Sequence, residues 1–174
     1  MRTSLHRRAV GHQGMEPETL IRAATPEDLE SIMQLQTRSY ADSLHEPLTM
    51  FREILSFSPG TCFVVSCGSE LAGYVLAYPI PTGFQDFGKQ VELSGEETTL
   101  YLHDLCICPN HRSKGLARTL HDALMAQLPV GKYKKISAVA VQDTADFWKK
   151  CGFTVGISYT YPGGAPGYLI SKDL

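Results

Sequence analysis

Residues Leu105 to Ala117 read L-C-I-C-P-N-H-R-S-K-G-L-A, and this stretch constrains the fold more than any other. An apolar run closed by Pro109 passes into a short basic turn containing Gly115. It then enters a segment whose leucines, Leu116, Leu120, Leu124 and Leu128, recur every four residues. The pattern predicts a strand, a tight loop and a helix N-terminus. Such a terminus carries amide groups without internal acceptors and a partial positive charge, which suits a phosphate or diphosphate. Arg112 and Lys114 add full charges. A phosphorylated cofactor is expected here.

The rest of the chain supplies the frame. E-T-L-I-R-A-A predicts a first strand ending at Thr25, and T-P-E-D opens a helix with a capping hydroxyl, a proline at its first position and acids in its first turn, running to about Tyr40. Pro47 to Phe57 carries apolar residues at helical steps. Thr61 to Cys67 and Leu71 to Ile80 predict an antiparallel hairpin, ended by Pro79 and Pro81. Pro81 to Glu97 is a long polar connection holding Phe84 and Phe87, of a length often tied to function. Thr98 to Cys108 and Lys135 to Val141 predict strands, Thr144 to Lys150 a short helix closed by Gly152, and Phe153 to Tyr159 and Gly167 to Ser171 two last strands around a Pro162-Gly163-Gly164-Pro166 turn. The order β, α, α, β, β, β, α, β, α, β, β implies an α/β chain with a mixed sheet and helices on both faces.

Composition narrows the partners. A chain of 174 residues, 43% hydrophobic, fits one domain over residues 19–174. Sixteen basic residues against 18 acidic ones argue against nucleic acid as the main partner, and no segment is long and apolar enough to span a bilayer. Five cysteines, an odd number in mostly apolar segments, read as reduced thiols in a cytoplasmic setting. Cys106 and Cys108 face one side of a strand, but no companion ligand pair supports a metal. Residues 1–18 form a basic leader, read either as a flexible or upstream segment before Met15 or as an organelle-targeting presequence.

With these residues in place the chain resembles the GNAT superfamily of N-acetyltransferases. The Q/R-x-x-G-x-G/A segment stands here as Arg112, Ser113, Lys114, Gly115, Leu116 and Ala117, preceded by Ile107, Cys108 and Pro109 in an I-x-P-x-x-R run. Ala145 to Phe153 reads A-x-F-W-x-x-x-G-F, where the family usually has F-Y. The resemblance implies a GNAT fold and acetyl-CoA as cosubstrate, without a metal. Leu105, Cys106 and Ile107 would then offer backbone bonds to the pantetheine arm. Arg112 to Ala117 would cradle the diphosphate with Arg118 beside them, and Phe147 and Trp148 would pack near the arm.

Direct acyl transfer to an amine needs a base for the ammonium, which titrates near 10, a polarised carbonyl and a proton for the departing thiolate. His103 is the candidate base, and Tyr101 shares its face by the two-residue strand period. Asp104 falls on the other face unless a bulge turns it inward. Arylalkylamine-type members carry two histidines at what look like the positions of Tyr101 and His103, so half of that pattern transfers. Trp148 stands where many members have the tyrosine acid, and indole cannot donate a proton as a phenol can; water, Tyr159 or Tyr161 would have to serve. Glu92, Glu96 and Glu97 could draw a cationic amine, although a solvated acidic loop is the first reading of them, and Lys132, Lys134 and Lys135 could meet the 3'-phosphate of coenzyme A, although exposed lysines flanking a strand explain them as well. The reading is an acetyl-CoA-dependent N-acetyltransferase acting on a small-molecule amine and compatible with a homodimer. A peptide N-terminal acetyltransferase and a non-catalytic acyl-CoA sensor are the alternatives.

Overall fold

The T-P-E-D segment shows how local chemistry starts the fold. Asp28 accepts the Thr25 amide at 2.8 Å and a two-pronged bond from Arg22 at 2.7 Å, which ties the end of the first strand to the first helix. Pro26–Asp28 forms one tight turn before the α-helix proper begins. In the computed structural model, residues 17–83, 92–141, 143–161 and 163–174 are described. The leader up to residue 16, Phe84, Phe87 and Pro162 lie outside the described residues.

The elements follow the expected order: β1 (Thr19–Ala23), α1 (Leu29–Ser39), α2 (Leu48–Phe57), β2 (Cys62–Cys67), β3 (Glu70–Ile80), β4 (Thr99–Ile107), α3 (Leu116–Gln127), β5 (Lys135–Val141), α4 (Ala145–Lys150), β6 (Thr154–Thr160) and β7 (Pro166–Asp173). They build one sheet in the order β1-β2-β3-β4-β5-β7-β6, antiparallel except for the β4–β5 pair. Pro79 does not end β3 as the sequence predicts, for it pairs with Leu100 inside the strand. The β2 pairing stops at Leu76, so beyond that point, among the described residues, one side of β3 is an edge, where a residue without an N–H is tolerated.

Apolar layers cover both faces. Under α1 and α2, Ile32, Leu35, Phe51 and Ile54 meet Val64, Tyr74, Leu76 and Tyr101 of the sheet. Under α3 and α4, Leu116, Leu120, Leu124 and Trp148 meet Val75, Leu100, Leu102, Ile136 and Ile170. Cys106 and Cys108 fall in the first layer with the apolar residues.

Two irregularities in β4 prepare a site. Leu76 faces Asp104 while Ala77 faces Leu102, so His103 is an extra residue, a β-bulge. Asp104 therefore joins Tyr101 and His103 on the α1–α2 side, while Leu105 and Ile107 turn toward α3. The second irregularity is a split. β4 pairs with β5 only from Thr99 to Leu102, after which Val139–Val141 stay with β7 and the rest of β4 stays with β3. A cleft opens between them.

Candidate active site

The cleft has a volume of about 330 Å³ and is lined from β4 by Leu102 to Ile107 and from β5 by Ala138, Val139 and Val141. Its backbone groups can be assigned from register. Cys108 donates its amide to Ala72 of β3 at 2.8 Å, and in an antiparallel ladder the residues facing a partner alternate. Cys106 thus turns its backbone to β3, whereas Leu105 and Ile107 turn theirs into the cleft. The carbonyls of these two residues are the ones taken by side chains, Leu105 by the Tyr40 hydroxyl at 3.1 Å and Ile107 by Arg112 Nε at 3.3 Å. The amides of Leu105 and Ile107 face the open space. Of the three residues expected to offer backbone bonds to an arm, Cys106 is set apart by this alternation.

At the end of β4 the expected loop is present. After the turn Pro109–His111, Ser113 and Gly115 both have positive φ, 63° and 78°, and α3 starts at Leu116. Arg112 lies along the cleft wall, with a second bond to the Ser39 carbonyl at 3.3 Å. Ser113, Lys114 and Gly115 are exposed, Ala117 lines the cleft and Leu116 is buried beneath α3. Arg118 points the other way, pairing with Asp122 at 3.0 Å and the Lys150 carbonyl at 3.1 Å. Phe147 and Trp148 line the far wall; Trp148 stacks edge-on between Phe147 and Phe153. Lys132, Lys134 and Lys135 sit at the start of β5, level with Thr98 and Thr99, at the opposite end of the parallel pair from the loop. That position takes them away from any group held at the loop.

Between α1, α2 and β4 lies a cluster of polar groups. His103 is almost wholly buried and its Nε2 donates to Glu46 Oε2 at 2.6 Å, while Glu46, a quarter exposed, reaches the cleft. Asp104 accepts the hydroxyls of Tyr40 and Tyr74, each at 2.6 Å. Tyr101 is buried behind His103, edge-on to it and to Tyr78, and does not reach the lining. Tyr161, from the β6–β7 turn, closes the cleft opposite.

Charge states follow from burial and partners. Burial disfavours the His103 imidazolium, but the charge and hydrogen bond of Glu46, with a smaller contribution from Asp104, outweigh it and hold His103 above the ordinary histidine value. Burial pushes the Asp104 carboxyl up to about 6 against the opposing bonds from Tyr40 and Tyr74. The same desolvation, followed by the Asp104 charge, raises both phenols well above their usual range.

Tyr40, Glu46 and Tyr74 are absent from the sequence expectations. Tyr74 and Tyr78 do fall on one face of a predicted strand, which is a readable signal. Glu46 comes 57 residues before its partner on an irregular segment, and nothing local marks it. Glu97, expected as a solvated or amine-attracting acid, instead folds back to accept the Ser94 and Gly95 amides at 2.5 and 3.0 Å. Among the described residues, no group of three or more His, Cys, Asp or Glu side chains is placed to hold a metal ion.

Comparison with known proteins accords with this architecture. The loading GNATL domain of CurA from Lyngbya majuscula superposes with a TM-score of 0.78 at 15% identity, covering 90% of this chain and 98% of that one. Arabidopsis thaliana Naa50, solved with the bisubstrate analogue CoA-Ac-MVNAL, gives 0.70 at 12% identity over 90% and 99%. A mosquito arylalkylamine N-acetyltransferase like 5b gives 0.66 at 18% identity over 90% and 100%. At these identities the likeness is one of fold. No curated protein matches the sequence significantly. The sequence model of the acetyltransferase (GNAT) family matches residues 29–153, most of the chain, and the protein belongs to that family.

Proposed function

We propose that this protein is an acetyl-CoA-dependent N-acetyltransferase that acetylates a primary amine of a small molecule by direct attack in a ternary complex. The observation that carries the reading is the continuity of the cleft, which runs from the Arg112–Ala117 loop, past the free amides of Leu105 and Ile107, to the His103–Glu46 pair. The site fits the cosubstrate on that observation. The amides of the loop and first turn of α3 would hold a diphosphate, and those of Leu105 and Ile107 would pair with an amide-bearing arm. Acetyl-CoA supplies an acyl group activated as a thioester.

The protein's own residues supply the rest. Glu46, the exposed member of its pair, attracts and orients the acceptor's ammonium at the cleft. His103 takes the ammonium proton once it has lost its own, so turnover rises with pH through a value above that of an ordinary histidine. An inward amide of β4 polarises the carbonyl. The five free cysteines accord with a reducing, cytoplasmic setting.

Trp148 favours a second reading, a non-catalytic acyl-CoA sensor, because the family's usual phenol is missing there. One experiment separates the two: release of free coenzyme A with a panel of amines and peptides, beside calorimetric binding of acetyl-CoA. The enzyme reading expects turnover on a small amine, and Arg112→Ala should weaken acetyl-CoA binding about tenfold, the size of one lost charge-assisted contact. Tight binding with no turnover would favour the sensor, and peptide turnover alone would move the acceptor class. Unaltered affinity in the arginine variant would contradict the loop assignment.

A further inference from the structure

We infer that Tyr40 and Asp104 form a proton relay that serves the departing thiolate, Tyr40 as the catalytic hydroxyl and Asp104 acting through it. The inference rests on the acetyl-transfer reading above. Among the described residues lining the cleft, Tyr40 and Tyr161 carry the phenols. Tyr40 stands at the reacting end of β4, since its hydroxyl lies 2.6 Å from Asp104 Oδ1 and 3.1 Å from the cleft-facing carbonyl of Leu105. Tyr74 caps the other oxygen of Asp104 at 2.6 Å but is fully buried and does not line the cleft. Asp104 itself borders the cleft, and the hydroxyl it holds there is that of Tyr40.

The proton count closes without another reagent. The first ammonium proton goes to His103 and later to solvent. After the neutral amine attacks, its nitrogen carries one proton too many. That proton passes to Tyr40 Oη as the Tyr40 hydroxyl proton passes to Asp104 Oδ1. When the C–S bond breaks, the electron pair stays on sulfur and the thiolate takes the Tyr40 proton, while Asp104 returns its own to Tyr40. Both residues end as they began. A carboxyl titrating near 6 suits the role, being basic enough to accept and far more acidic than an alkyl thiol when it gives back. The groups that face Asp104 are Tyr40 just past the end of α1, Glu46 from the α1–α2 connection, Tyr74 from β3, His103 and Cys106 from β4, and Tyr161 from the last turn.

The test uses the full chain with the best amine from the panel. Tyr40→Phe and Asp104→Asn should each lower kcat about 100-fold, with the calorimetric Kd for acetyl-CoA within twofold of the parent. The double variant should fall no further than either single one, because the two act as a unit. Tyr74→Phe is the control: carboxyl-labelled NMR should show Asp104 titrating higher in both phenylalanine variants, each having lost a bond to the charged form, yet the large loss of kcat should belong to Tyr40→Phe. A Tyr40→Phe protein within threefold of the parent, a Tyr74→Phe loss of equal size, or multiplying losses in the double variant would each overturn the relay. A parent protein that binds acetyl-CoA but turns over no amine would overturn the acetyl-transfer reading itself, and the relay with it.

Discussion

The two halves of β4 make opposite use of the same backbone. From Thr99 to Leu102 the strand is paired on both sides and alternates cleanly, with Leu100 and Leu102 in one apolar layer and Tyr101 in the other. From His103 to Ile107 it is paired on one side, bulged, and faced with an imidazole and a carboxyl. The first half is solved by burial alone. The second leaves amides without partners in the sheet, and that vacancy in the ladder gives the chain somewhere to put a ligand. Stability and chemistry are thus divided along nine residues of one strand.

The division can be broken or sharpened by substitution. Leu100→Ala, at a fully buried position in the paired half, should cost about 3 kcal/mol in chemical denaturation and leave the acetyl-CoA Kd within twofold; a large loss of affinity at unchanged stability would erase the distinction. Glu46→Gln in the site should lower kcat/KM about 100-fold, roughly 2.7 kcal/mol, with little change in stability. It should also drop the His103 titration seen by NMR below the ordinary histidine range, since burial is then opposed only by the smaller contribution of Asp104. An imidazole that still titrates high would mean that Glu46 does not set its charge. The smallest effect is expected at Gly115→Ala, where an added Cβ meets nothing within 4 Å but φ is +78°. The cost should be about 1 kcal/mol, read in the melting temperature. A neutral result would show that the loop relaxes without strain.

Most of the frame was legible because periodicity is a local property. The four-residue leucine steps of α3, the Lys135–Val141 strand and the T-P-E-D start are read from a few neighbours each, and the structure departs from them by a residue or two at their ends. Pro79 misled because its effect depends on how far β2 extends, which the local pattern does not encode. The Arg112–Ala117 loop was legible as a strand-turn-helix. The polar cluster was not, since the Glu46–His103 and Tyr40–Asp104 contacts join segments 57 and 64 residues apart. Asp104 depended on whether a bulge occurs, a question of pairing with β3.

The bulge also sets a phase for everything after it. An inserted residue that shifts a strand by half its period exchanges the two layers downstream while leaving the upstream layers untouched. Deleting one residue between Leu102 and Asp104 would undo that exchange. It would carry a carboxyl into the leucine layer beneath α3, and the loop at the end of the strand would leave the sheet turned over. The proposed catalytic face and the proposed anion-binding turn are therefore kept in step by a single unpaired position.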